Sequence, residues 1–350
     1  MIRRMLLKTA ALAALGMAGL SVAGAAAQAE TVTLRLHHFL PPQAPVPAHV
    51  FEPWAEQLAE ASDGRLVVEI YPAMQLGGAP TALFDQAREG VVDIAWSFPG
   101  WAPGRFPMLE VFDIPFIAAN AQITSRAAWR FAQEYLGEEL ADVHPLAVHT
   151  HGPGVLHMKA PLIESPADLR GRSIRGPSRL ANRLIEELGA TAVGMPVPQM
   201  PESLQRGVID GTMVPWEVTF ALRVPELVDT HTEFAPGVAL YTSPFILAMN
   251  HDAYADMPDD LRAILDEHSG MMLSNWIGKV MDRFDEPARN VAVERDNRIV
   301  TIEGDALTEW EAAGMRVREG WIAEMDAAGM DGAALVAAVE ALIAEEMAAD

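Results

Sequence analysis

The stretch GRLVVEIYPAMQLGGAPTALFDQAREGVVDIAW, residues 64–96, decides the fold. Asp63-Gly64 is a turn signal, and Arg65–Tyr71 after it is an apolar, β-branched run of strand length. Gln75-Leu76-Gly77-Gly78 forms a Gly-rich loop. Pro80 then opens a helix to about Glu89, since proline at a first helical position sacrifices no hydrogen bond. Gly90 ends that helix, and Val91–Trp96 is a further strand. Upstream, Thr31–His38 alternates, with Val32, Leu34 and Leu36 on one face and Thr33 and Arg35 on the other. Residues 48–61 place Val50, Phe51, Trp54 and Leu58 at helical spacing. The order is β-α-β-α-β, which implies a parallel sheet with right-handed crossovers.

Working outward, residues 97–120 carry Pro99, Pro103, Pro107 and Pro115 and read as loop, and residues 122–140 read as helix. His144–Thr150, Val155–Lys159 and Ser173–Gly176 are strands; Ser178 caps a helix to Leu188, which Gly189 stops. A short strand near Ala192, a helix Pro201–Arg206, a strand Val208–Val214 and a helix from about Trp216 complete a second unit. Thr230–Glu233 and Val238–Asn250 are strands, and everything after residue 252 reads as helix, with amphipathic stretches at 258–295 and 306–347. These units predict two α/β lobes around a cleft, lobe I from residues 30–148 plus 236–275 and lobe II from residues 149–235 plus 276–350. Paired crossovers near 148–151 and 235–238 give a hinge geometry.

The N-terminus reads as a targeting segment. Arg3, Arg4 and Lys8 precede an apolar run from Ala10 to about Ala23, and Ala27-Gln28-Ala29 fits the small-x-small cleavage rule. A signal peptide over residues 1–29 is expected, with export to the periplasm; whether by the general or the twin-arginine route stays open. The chain has a net charge of −23, and losing that segment, with its three bases and no acid, takes it to −26. A surface this acidic repels phosphate backbones, which argues against nucleic-acid binding. With no cysteine, disulfides, thiol chemistry and Cys-ligated metals are excluded. Beyond the leader no apolar run reaches the length of a bilayer span.

A second diagnostic stretch is DLRGRSIRGPS (168–178), followed by LGATAVGMPVPQMPESLQRGVIDGTMVPW (188–216). Together with GRLVVEIYPAMQLGG and QAREGVVDIAW in residues 64–96, it resembles the DctP-type solute-binding proteins of TRAP transporters (tripartite, ATP-independent, periplasmic). The resemblance spans nearly the whole mature chain. It implies a two-lobe periplasmic binding-protein fold (Venus flytrap) with long C-terminal helices, membrane permease subunits as partners, and a small organic carboxylate as ligand; a monomer is the default expectation for a soluble carrier.

In that family the strand after the D-L-x-G turn carries an arginine that pairs with the ligand carboxylate, and the matching residue is Arg175. The chemistry is direct, since a planar guanidinium meets a carboxylate with two parallel hydrogen bonds and stays charged when water is excluded. Arg170 and Arg172 flank the turn as solvated residues. The family places ligand-lining side chains just after its G-V-x-D-G segment, which is Gly207–Gly211 here; this implies Trp216 as an apolar wall with an N–H donor. Glu217 beside it faces either the ligand or a helix N-terminus. Many dicarboxylate and sialate binders carry a second polar or cationic contact where this chain has His151-Gly152-Pro153-Gly154. The departure from an arginine favours one carboxylate, with His151 donating to a hydroxyl or keto oxygen and Gly152 beside it.

Phe98 and Trp101 follow the third strand and would line the opposite lobe, favouring a partly apolar 2-oxo, hydroxy or aromatic acid. His38 ends the first strand pointing at the cleft, and Tyr241 and Phe245 are further cleft candidates. His37 and His38 face opposite sides of a strand, so neither a metal nor any cofactor is expected there. G-x-S-x-G, H-E-x-x-H, Walker and G-x-G-x-x-G patterns are absent, which argues against an enzyme. A periplasmic enzyme on the same scaffold and a sensory ligand-binding module remain the rival classes.

Overall fold

The computed structural model of the protein describes residues 30–349, and the expected leader lies outside them. The strands are β1 (Val32–His37), β2 (Leu66–Tyr71), β3 (Ile94–Ser97), β4 (His144–Thr150), β5 (Gly154–Met158), β6 (Ser173–Gly176), β7 (Thr191–Gly194), β8 (Gly211–Pro215), β9 (Thr230–Phe234), β10 (Pro244–Met249) and β11 (Arg298–Ile302). They form two sheets, one in the order β2-β1-β3-β10-β4 and one in the order β11-β9-β5-β8-β6-β7. The fold is α/β, with β1 parallel to both β2 and β3 as the β-α-β reading requires.

Neither sheet is parallel throughout. β10 runs antiparallel between β3 and β4, and β5 runs antiparallel to β8 and β9. The reason is connectivity. The chain leaves the first sheet at the end of β4 through residues 151–153 and returns from β9 through residues 235–243. A strand that re-enters where its neighbour left must run back alongside it. The two crossings are bonded to each other: Gly154 N–H donates to Tyr241 O at 2.9 Å, His151 N–H to Ser243 O at 3.3 Å, and Thr242 Oγ1 to His151 O at 2.5 Å. Gly154 is required here, because a Cβ would run into the Tyr241 ring.

Several expected elements shift. β3 begins at Ile94 and β8 at Gly211, because Val91 and Val208 are exposed and sit outside the ladders. Residues 238–243 are the crossing, so the strand expected over Val238–Asn250 starts at Pro244. Residues 97–120 include the tight turn Leu109–Asp113, which is buried throughout. The stretch after residue 252 is not all helical: β11 pairs parallel with β9. Ile302 is its one fully buried residue, so its alternation is faint in the sequence.

The helix Gly270–Glu294 packs on the helix Ala121–Tyr135 and on β4, which belong to the first sheet's side. It also packs on the one-turn helix Trp216–Thr219, which follows β8 of the second sheet. A Cβ at Gly278 would stand 2.6 Å from Ala121 O, so glycine permits this approach. Asp282 accepts from the N–H groups of Ala121 (2.8 Å) and Gln122 (2.9 Å), satisfying donors at that helix's start. Helix Thr308–Ala327 packs on helix Arg179–Glu187. Helix Gly332–Ala349 packs on Thr308–Ala327 and also lies along Ala121–Tyr135, tied there by Arg126–Glu346 at 2.8 Å. Among the described residues no helix is long and apolar enough to cross a membrane.

Candidate ligand-binding site

A cavity of about 60 Å3 opens between residues of both sheets, beside the two crossings. At about 10–15 Å3 per ordered water this is room for several waters. Its first wall is aromatic. Phe39, Trp96, Phe98, Trp101 and Phe245 line it, with Phe39 stacked on Trp96 at 5.0 Å and Trp96 on Phe245 at 5.3 Å. Trp101 meets Phe39 edge-on at 5.0 Å, and its buried Nε1 has no hydrogen-bond partner among the described residues.

The second wall carries Arg175, Pro177, Val197, Val214, Pro215, Glu217 and Val218. Arg175 sits on β6, whose partners β7 and β8 fix its backbone. It is 2% exposed. Nε donates to Met195 O at 3.0 Å and Nη1 to Met213 O at 2.9 Å, so backbone carbonyls orient the fork without neutralising it. Nη2 bonds to no described residue, and no described carboxylate forms an ion pair with Arg175. Burial lowers its pKa to about 10, which still leaves it cationic at neutral pH. Retaining a buried cation without a counter-ion is unfavourable, and an anion reaching it would offset that.

Of the residues singled out in the sequence, Arg175, His151, Phe98, Trp101, Glu217 and Tyr241 converge on this cavity, and Phe245 with them. Trp216, Gly152 and His38 do not line it. Trp216 turns away from the end of β8: its Nε1 donates to Glu233 at 3.1 Å, and its ring packs on His157 and His231. Gly152 stands against Asp285 of the long helix, and its carbonyl accepts from His151. His38 is buried behind the aromatic wall, near Phe51 and Trp96, and burial followed by the neighbouring His37 lowers its pKa to about 3. Phe39, one residue on, is the side chain that reaches the cavity.

The hydrogen bonding also revises the chemistry of His151. Its Nδ1 lies 2.6 Å from Gly152 O, so Nδ1 carries the proton. Burial lowers its pKa to about 4, so the ring is neutral and Nε2 is an acceptor, not the donor expected. Trp96, Ser243, Val214 and Met281 also line the cavity and were not singled out. Trp96 had a signal, since it falls at the end of the third strand beside Phe98. Met281 had none, since it arrives from the helix Gly270–Glu294, far along the chain.

Asp113 is buried at the cavity's edge. It accepts from Ser243 Oγ at 2.6 Å and from Ser178 Oγ, the cap of helix Arg179–Glu187, at 3.1 Å. Burial raises its pKa to about 7. Nearby, Arg179 pairs with Glu110 at 2.6 Å, so the Leu109–Asp113 turn and the start of that helix are joined twice. Among the described residues no cluster of histidines and carboxylates is arranged to hold a metal ion.

Comparison with known proteins identifies the family. Residues 36–323 match the family described as bacterial extracellular solute-binding protein, family 7 (DctP). A TRAP solute-binding protein from Rhodoferax ferrireducens, solved with copurified benzoate, is 43% identical, with 91% of this chain and 99% of that one covered and a TM-score of 0.89. A marine-metagenome TRAP solute-binding protein specific for aromatic acid ligands, solved with 3-hydroxybenzoate, is 41% identical, covering 91% and 99%, with a TM-score of 0.89. The outer membrane transporter protein TsaT of Comamonas testosteroni is 26% identical over 334 residues, 94% of this chain and 95% of that protein. These relatives are solute-binding and transporter proteins. The chain belongs to the DctP family of bacterial extracellular solute-binding proteins, the receptors of TRAP transporters.

Proposed function

We propose that the protein captures a small aromatic monocarboxylate of the benzoate class in the periplasm and delivers it to the membrane permease subunits of a TRAP transporter. The observation that carries this reading is Arg175, a buried cation without a carboxylate partner, facing an aromatic wall across a cavity lined from both sheets. The guanidinium takes the carboxylate through its unspent N–H groups. Phe39, Phe98, Trp101 and Phe245 cover the ring, and His151, Tyr241 and Glu217 complete the lining. The absence of a second cation in that lining matches a ligand with one negative charge. The benzoate and 3-hydroxybenzoate bound by the two solved relatives are of this chemistry.

In this reading the two sheets belong to lobes that close over the ligand about the crossings at 151–153 and 235–243, in a monomer released from a leader ending near Ala29. A ligand favours closure only through contacts the open form lacks. Calorimetric titration with benzoate tests the reading. The wild type binds, and Arg175→Ala weakens binding by roughly 30- to several-thousand-fold, the equivalent of about 2–5 kcal/mol for truncating one partner of a buried charge pair. A loss below about twofold rejects the role of Arg175.

A further inference from the structure

Glu217 stands in the same cavity wall as Arg175, where β8 passes into the one-turn helix Trp216–Thr219. It is 5% exposed, and its Oε2 is buried without a hydrogen-bond partner among the described residues. Its backbone is fixed, because its N–H donates to Asp285 Oδ1 at 3.0 Å. Arg175 and Glu217 line one cavity and yet form no ion pair with each other. Neither side chain is therefore spent on the other. A buried polar atom without a partner is unfavourable, and in a concave site it marks where a ligand atom belongs.

Asp285 and Asp282 lie on the long helix behind Glu217, and Tyr241 and Arg175 share its cavity. Burial first, and the charge of Asp285 next, push its carboxyl well above the usual range. Burial thus favours the protonated carboxyl, which has an O–H to donate and a carbonyl to accept.

We propose that Glu217 forms a second polar subsite of the cavity, taking a hydroxyl or other neutral hydrogen-bonding substituent on the acid that Arg175 holds, and excluding acids with a second carboxylate. The inference rests on the carboxylate reading above and adds the ligand's other end. A ring hydroxyl can both accept from and donate to a neutral carboxyl. A second carboxylate at that point meets the Glu217 carboxyl, with Asp282 and Asp285 on the helix behind it, and no cation beyond Arg175 in the lining.

The test titrates benzoate, the three hydroxybenzoate isomers and the three benzenedicarboxylate isomers into the wild type, Glu217→Gln and Glu217→Leu. For the wild type, at least one hydroxybenzoate binds about three- to tenfold tighter than benzoate, the increment of one net hydrogen bond, and each dicarboxylate binds at least about tenfold weaker. Glu217→Leu brings that hydroxy isomer within about twofold of benzoate, both measured on the same variant. Glu217→Gln, which keeps a donor and an acceptor, retains the preference. Glu217→Ala stands in for the leucine variant should the latter not fold. A hydroxy preference that survives in Glu217→Leu, a wild type without one, or a dicarboxylate binding as well as benzoate overturns the proposal. If the wild type binds none of these acids, the carboxylate reading fails first and the subsite falls with it.

Discussion

The two walls of the cavity are made of opposite chemistry. The first sheet contributes rings, namely Phe39, Trp96, Phe98, Trp101 and Phe245, and no charge; the second contributes Arg175 and Glu217 set among aliphatic and proline side chains. Rings packed on one another at 5.0–5.3 Å give area without direction, so that wall accepts any flat apolar body. The guanidinium, locked by Met195 O and Met213 O, gives direction. In the proposed reading, one wall sets how tightly a ring is held, and the other sets which way it faces and what it carries.

That division can be broken most sharply at Arg175. Arg175→Lys keeps the charge and removes the fork, so a directional wall loses about tenfold or more for benzoate in calorimetry, although less than Arg175→Ala loses. A lysine variant equal to the wild type would mean the wall supplies charge alone. Next comes the ring wall. Trp101→Ala weakens benzoate and cyclohexanecarboxylate by a similar factor, about five- to thirtyfold, because burial area rather than orientation is lost. A variant that changes the ratio between those two ligands would give the aromatic wall a directional role it is here denied.

The smallest effect concerns what fastens the walls together. Asp113, which joins Ser178 to Ser243, has its pKa raised to about 7 by burial, and so have Asp285 and Glu139. In the unfolded chain such carboxyls lose their protons near pH 4, so between about pH 4 and 7 each contributes stability that is lost as pH rises. The buried histidines His38, His149, His151 and His231, whose pKa values burial lowers to about 3–4, act the other way between about pH 4 and 6.5. Asp113→Asn removes one carboxyl contribution, so it should lower thermal melting at pH 5.5 relative to pH 8 by roughly 2–5 °C compared with the wild type. Glu233 and Glu324, hydrogen-bonded by arginines, are held below the usual range and act the other way only in stronger acid.

Much of this was legible from residue order. The β-α-β unit at residues 31–96 specifies the first sheet, and the Asp168–Ser178 stretch puts Arg175 on its strand. What stayed hidden depends on tertiary direction. Trp216 and Glu217 are adjacent, and one turns to Glu233 while the other faces the cavity; the place where a strand becomes a helix decides this, and periodicity does not report it. His38 and Phe39 divide in the same way at the end of β1. The short edge strand β11 carries too little burial to interrupt a helical pattern on either side.

The helix Gly270–Glu294 carries Met281, Asp282 and Asp285 on one face. Asp282 grips the start of Ala121–Tyr135, Asp285 holds the backbone of Glu217, and Met281 forms part of the cavity floor between them. A single rail thus serves both halves and the ligand space at once. Residues on either wall can be exchanged singly and retune which acid fits. A shift of the rail by a fraction of an ångström would be felt in both halves together, so new specificities in this lineage have an open route through the walls and a closed one through the rail.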